Sequence, residues 1–307
     1  MMQLMMRMVM HLKKEVLIMS RGLKRFFGVC AVLVVLGLIL VIVGYVTGGV
    51  HYMDRLDSKF SWLSIGEGDM EYMQLDEPAD FDSIDITGDV DVFICSGSEA
   101  GARLHFDRNA TEPVLKVENG TLKAEASMKK GAVISFDWGD RAPYVEIYVP
   151  EGKTLKDIHI DTECGDITLR GISAGSIDLR QELGDTDLEN VSCDSLTAES
   201  ECGDIEGSNI KSKATDISSE LGDVELQGEF TGNTTVKAES GSVEINTALS
   251  EMLYTVQADV EAGELEIGGK EHGSFENHVV LGNGANILKV VCSLGDVDIN
   301  FAEHHDD

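Results

Sequence analysis

The stretch from Asp161 to Asn300 repeats one short phrase at a nearly fixed interval, and such a period restricts the chain to architectures that stack one unit on the next. The phrase runs from Glu163 to Leu169 (ECGDITL), Glu182 to Leu188 (ELGDTDL), Glu201 to Gly207 (ECGDIEG) and Glu220 to Leu226 (ELGDVEL). Looser copies occupy Glu239 to Ile245 (ESGSVEI), Glu261 to Ile267 (EAGELEI) and Ser293 to Ile299 (SLGDVDI). Their anchor glycines, Gly165, Gly184, Gly203, Gly222 and Gly241, follow one another every 19 residues; Gly263 and Gly295 come after steps of 22 and 32.

Around each glycine the apolar residues alternate as a strand requires. Counting from the glycine, they recur at minus seven, minus five and minus one, as in Ile158, Ile160 and Cys164. After it they shift to plus two and plus four, as in Ile167 and Leu169, so side-chain parity changes across Gly-Asp and the chain bends there. Glycine supplies the positive φ of such a bend, and the aspartate is expected to hydrogen-bond its own turn while facing water. Two all-β folds satisfy this pattern. One is a single-stranded β-solenoid with ~19-residue rungs, since at ~3.3 Å per residue the repeat is long enough to circle a flattened or three-sided cylinder. The other is an antiparallel sandwich or meander with Gly-Asp hairpin turns. The literal repetition favours the solenoid, because stacking in register demands it.

Before the repeats, Ser83 to Ile94 is an irregular version of the phrase, Leu115 to Ala124 reads as a hairpin around Asn119-Gly120, and Tyr144 to Pro150 reads as a strand closed by Pro-Glu-Gly. This section, 81–157, is expected to cap the solenoid of 158–301, with a spacer at 47–80 and a tail at 302–307. Departures from the phrase are Gly207 at an inward position, Ser242 and Glu264 in place of aspartate, and the long insertion between Gly263 and Gly295.

Phe26 to Val46 is an uncharged apolar run of 21 residues, enough at ~1.5 Å rise to cross a hydrocarbon core as a transmembrane helix. Lys13, Lys14, Arg21, Lys24 and Arg25 precede it, so the positive-inside rule puts residues 1–25 in the cytoplasm and the remainder outside. Residues 1–18 precede a second possible start at Met19. Of 24 Lys plus Arg, six lie before Thr47; of 55 Asp plus Glu, only Glu15 does, leaving 18 minus 54, or −36, on the remainder. Such a surface repels nucleic acid and anionic headgroups.

A single N-terminal span, a first block of the form Phe-x-x-Ile-x-Ile closing in Tyr144-Val-Glu-Ile-Tyr-Val-Pro150, and serial Gly-Asp-Ile/Val-x-Leu/Ile units resemble the bacterial "putative adhesin" family of unknown function, the DUF4097 type. The resemblance covers roughly Phe81 to Phe301. It implies a repetitive β domain in the cell envelope and brings no catalytic or ligand-binding residues. The chemistry of the residues points the same way. No catalytic motif occurs, so catalytic, cofactor and metal sites are all expected to be none. Stacked Glu163, Glu182, Glu201, Glu220 and Glu239, and stacked Asp166, Asp185, Asp204 and Asp223, leave a calcium-stabilised ladder or a polysaccharide-acting β-helix enzyme as alternatives. Cys164 and Cys202 lie two rungs apart, too far for a disulfide, and are expected to be small core residues. The expected activity is binding or structural, with a membrane anchor and an envelope protein or glycan as partner.

Overall fold

The computed structural model describes residues 70–75, 80–107, 111–127 and 143–302. The Phe26–Val46 run, the basic residues before it and His304-His305 lie outside the described residues. Among those described, no helix is long and apolar enough to cross a membrane. The fold is all-β: strands β1 (Met70–Gln74), β2 (Ser83–Gly88), β3 (Asp91–Gly97), β4 (Gly101–Asp107), β5 (Thr111–Glu118), β6 (Thr121–Ser127), β7 (Tyr144–Pro150), β8 (Thr154–Cys164), β9 (Ile167–Arg170), β10 (Ser173–Leu183), β11 (Thr186–Glu189), β12 (Ser192–Cys202), β13 (Ile205–Leu221), β14 (Val224–Ser240), β15 (Val243–Thr247), β16 (Tyr254–Ile267), β17 (Lys270–Gly282), β18 (Asn286–Leu294) and β19 (Val297–Phe301), with one 3-10 turn at Glu251–Leu253.

The copies from Gly165 to Gly241 pair in parallel, each with the copy 19 residues away: Ile158 opposes Ile177, which opposes Leu196, while Ile167 opposes Thr186, which opposes Ile205. The strands flanking each Gly-Asp bond thus pair with the neighbouring copies, so Gly-Asp is a corner and not a hairpin turn. Inside, equivalent residues form continuous buried columns, as in Leu169, Leu188, Gly207, Leu226 and Ile245. Gly207 keeps its inward position because Leu226 and Ile210 fill the space a side chain would take.

The order in space departs from the order in the chain at both ends. β2 lies between β6 and β8, and β3 between β7 and β9, so the first rung along the chain is the second in the stack. At the other end β18 lies between β14 and β16, and β19 between β15 and β16. Gly295 therefore follows Gly241 in the stack, and Gly263 follows Gly295. The long insertion between Gly263 and Gly295 is β17, which folds back antiparallel along β16. At the opposite end β5 covers β6 and β4 covers β7, both antiparallel, and β1, from within the expected spacer, pairs with β4. The β5–β6 turn is Asn119-Gly120, both with positive φ, as a two-residue hairpin requires.

Each anchor glycine holds φ between 139° and 154°, and the Cβ of any other residue would land on the carbonyl oxygen of the rung beside it. Replacing Gly222 by alanine should therefore cost about 3 kcal/mol, because strain and a backbone collision act together. Gly152, with φ 76° and nothing within 4 Å of a Cβ, should lose only about 1 kcal/mol as alanine. Urea unfolding of the two variants checks the difference; equal losses would refute the close approach at the corner.

Candidate functional site

The repeated corner is where the chain concentrates its polar chemistry. Asp166 carboxylate Oδ1 accepts the backbone N–H of Asp185 at 2.9 Å, Asp185 accepts that of Asp204 at 2.9 Å, and Asp204 accepts that of Asp223 at 2.8 Å. Asp91 starts this ladder by accepting from Asp166, Asp223 continues it to Ser242, and Asp296 accepts from Glu264. The sequence pattern suggested that each aspartate closes its own turn. Instead it closes the turn of the next rung, because the bend aims each corner N–H along the stack. In the first rung the ladder position belongs to Asp91 and not to Asp89 of the Gly88-Asp89 pair, since Val92 is the residue opposite Ile167.

The inner side of the corner carries a second polar column, three residues before the glycine: Thr162, Gln181, Ser200 and Ser219, all buried. The bend turns the glycine carbonyl inward, where it needs a donor. Ser200 Oγ donates to Gly203 O at 3.3 Å, and Ser219 Oγ to Gly222 O at 3.2 Å. Gln181 Nε2 reaches Gly165 O at 2.5 Å, while its Oε1 accepts from Thr186 Oγ at 2.8 Å. The one copy with threonine at plus two is thus the copy with glutamine at minus three.

The residue before each glycine faces out, which corrects the expectation for the cysteines. Cys164 is exposed and Cys202 partly so, and Leu183 and Leu221 in the same column are 52% and 55% exposed. Strand alternation would have sent minus one inward with minus three, but the positive-φ corner begins there and turns it outward. Parallel register keeps Cys164 and Cys202 two rungs apart, with Leu183 between them.

Other polar groups also pair between rungs. Arg170 reaches Asp187 and Glu189, Arg180 reaches Glu199, and His159 Nδ1 lies 3.2 Å from Asp178. A surface groove of about 390 Å³ is lined by Ser173, Ser192, Cys193 and Ser212, with Lys211 and Lys213 at its edge. Both lysines are engaged, Lys213 with Asp194 at 2.6 Å and Lys211 with Glu229 at 2.9 Å. The Asp194 hydrogen bond raises the Lys213 pKa. Among the described residues no three His, Cys, Asp or Glu side chains converge on a point that would hold a metal ion.

A stacked all-β repeat, cornered by glycine and aspartate, defines the class of protein. The profile of the family described as Toastrack DUF4097 matches residues 81–284, and the chain belongs to that family. No curated protein matches. Among solved structures, a "putative adhesin" from Bacteroides fragilis is 13% identical, with 76% of this chain and 97% of that chain covered and a TM-score of 0.43. A "putative cell adhesion protein" from Clostridium sporogenes is 16% identical over 76% of this chain and 100% of that one, at 0.32. A "putative lipid binding protein" from Parabacteroides distasonis is 17% identical over 78% and 100%, at 0.36.

Removing the ladder acceptor in Asp204→Ala should cost about 1.5 kcal/mol, the scale of a hydrogen bond to a charged group, whereas Asp204→Asn, which keeps an acceptor oxygen, should cost less than half of that. Denaturant titration of both separates the hydrogen bond from the charge. Asp91 gives a pH test. Burial, reinforced by Asp166, raises its pKa above the ordinary 3.8 despite the Asp166 N–H. The folded state therefore holds this proton to higher pH than the unfolded chain, so Asp91 contributes most stability below pH 3.8 and that contribution falls as pH rises through the raised value. Asp91→Asn should accordingly gain on the wild type as pH rises across that window; a stability difference independent of pH would refute the raised pKa.

Proposed function

We propose that this chain is a membrane-anchored, extracytoplasmic single-stranded β-solenoid that acts by presenting its surface to an envelope protein or glycan, without catalysing a reaction. The observation that carries this reading is the arrangement of its polar groups. The corner aspartates and the buried side chains inside the corner recur rung by rung as columns already engaged by the backbone, whereas catalysis requires unlike groups brought to one point. The parallel register at a 19-residue offset supports the solenoid.

The anchor rests on the Phe26–Val46 run and the basic residues before it. In this reading, the net −36 beyond Val46 is the charge of a solvated outer surface. Protease added to intact, wall-stripped cells should remove the chain beyond about Thr47 and leave an N-terminal fragment in the membrane. Full protection would reverse the orientation. Crosslinking of the intact chain on cells would then identify the partner, and turnover of a cell-wall glycan lost on replacing a single carboxylate would overturn the non-catalytic reading.

A further inference from the structure

The strands that cover the two ends of the stack differ in composition. At the N-terminal end the outer strands are β1, only five residues long, and β5, which reads Thr-Glu-Pro-Val-Leu-Lys-Val-Glu; the shortness of the one and Pro113 and Lys116 of the other are devices that discourage a further strand from pairing. At the C-terminal end the outer strand β17 spans 13 residues and, among the described residues, pairs with β16 alone. It has no proline, and its only lysine is its first residue, Lys270. Its second half, His-Val-Val-Leu-Gly at 278–282, has high strand propensity and no acidic residue.

That edge is also incompletely covered. Val279 and Leu281 oppose the buried Ala258 and Val256 and pack against the core, yet they remain partly exposed. On the other face Val280 is 55% exposed. Met252 and Leu253, in the turn that contacts β17, are exposed too.

Charge decides what can meet this edge. Within β17 no aspartate or glutamate occurs from Asn277 to Gly282, and the carboxylate beside that stretch, Asp259 of β16, is engaged by His278. Two copies of a surface this acidic repel one another along most of their length, but here the repelling groups are absent and the unpaired backbone is present. We infer that β17 is a homodimerisation edge: β17 of a second copy pairs with it antiparallel about a two-fold axis, joining two stacks through one continuous ladder. Such a contact is self-complementary and closes at two copies, because each chain has a single β17. It buries Val280 and the exposed flanks of Val279 and Leu281 at the join.

The test uses the full chain purified in mild detergent, followed by sedimentation from roughly 1 to 100 μM with bound detergent subtracted. The expected result is a monomer–dimer equilibrium, strengthened on going from low salt to about 0.5 M NaCl, since salt screens the residual repulsion. Val280→Lys adds a charge to an exposed edge position, so it should preserve the melting temperature and raise the dimer Kd at least about tenfold. Lys116→Ala on β5 should leave the dimer unchanged. Hydrogen exchange of the wild type provides a readout that depends on no variant: β17 amides facing away from β16 should gain protection with concentration. A wild type that stays monomeric throughout, a dimer indifferent to Val280→Lys, or β17 exchange independent of concentration would each overturn the proposal.

Discussion

The structure depends on how closely two backbones approach at the Gly-Asp corner. There the glycine of one rung sits against the glycine carbonyl of the next, at a φ that only glycine adopts without strain. Everything else at the corner answers a consequence of that approach. The carbonyl turned inward is met by a serine three residues earlier in the same rung, as at Gly203 and Gly222, or by a glutamine of the adjoining rung, as at Gly165. The N–H turned along the axis is met by the aspartate of the adjoining rung. The residue before the glycine is turned outward, and its column of leucine and cysteine is one of the apolar features on an acidic surface.

Because the aspartate serves the next rung and not its own, the corner is a ladder with a direction. Like charges stacked at strand spacing repel, but each one has an amide at its Oδ1 and solvent on its outer side. Cross-rung ion pairs such as Arg170 with Asp187 and Lys213 with Asp194 are exposed, so solvent and salt screen them and they add little to the stack. The hydrophobic columns hold the stack, and the charged columns define what it shows to its surroundings.

A stack of parallel strands must end somewhere, and this chain ends it by the same device twice. At each end the terminal copy of the repeat along the chain, β2–β3 or β18–β19, sits one rung short of the edge, and the outermost rung is covered by an antiparallel strand. The chain therefore enters the stack at Phe81 and leaves it at Phe301 from rungs flanked on both sides. An end rung cannot fray from its chain end without opening a paired neighbour.

The amino-acid sequence by itself determined the period, the all-β class, the glycine corner, the inward columns at minus seven, minus five, plus two and plus four, and the hairpin at Asn119-Gly120. These are local or periodic properties, set by backbone sterics and side-chain alternation within one repeat. It misled at minus one, where Leu183 and Cys164 continue the strand parity that the corner breaks. It was silent on the partner of each aspartate: an Asp beside a Gly caps its own turn or another equally well in sequence, and only the direction of the bent N–H decides. The signal for the buried polar column was present, in the small hydroxyls of Ser200 and Ser219, but without the inward carbonyl it had no meaning. The tertiary structure alone decided the exchange of rungs at both ends, because Gly263 and Gly295 carry the same phrase and nothing local ranks one before the other. That order is set by which edge β17 can cover, a contact between segments that no repeat encodes.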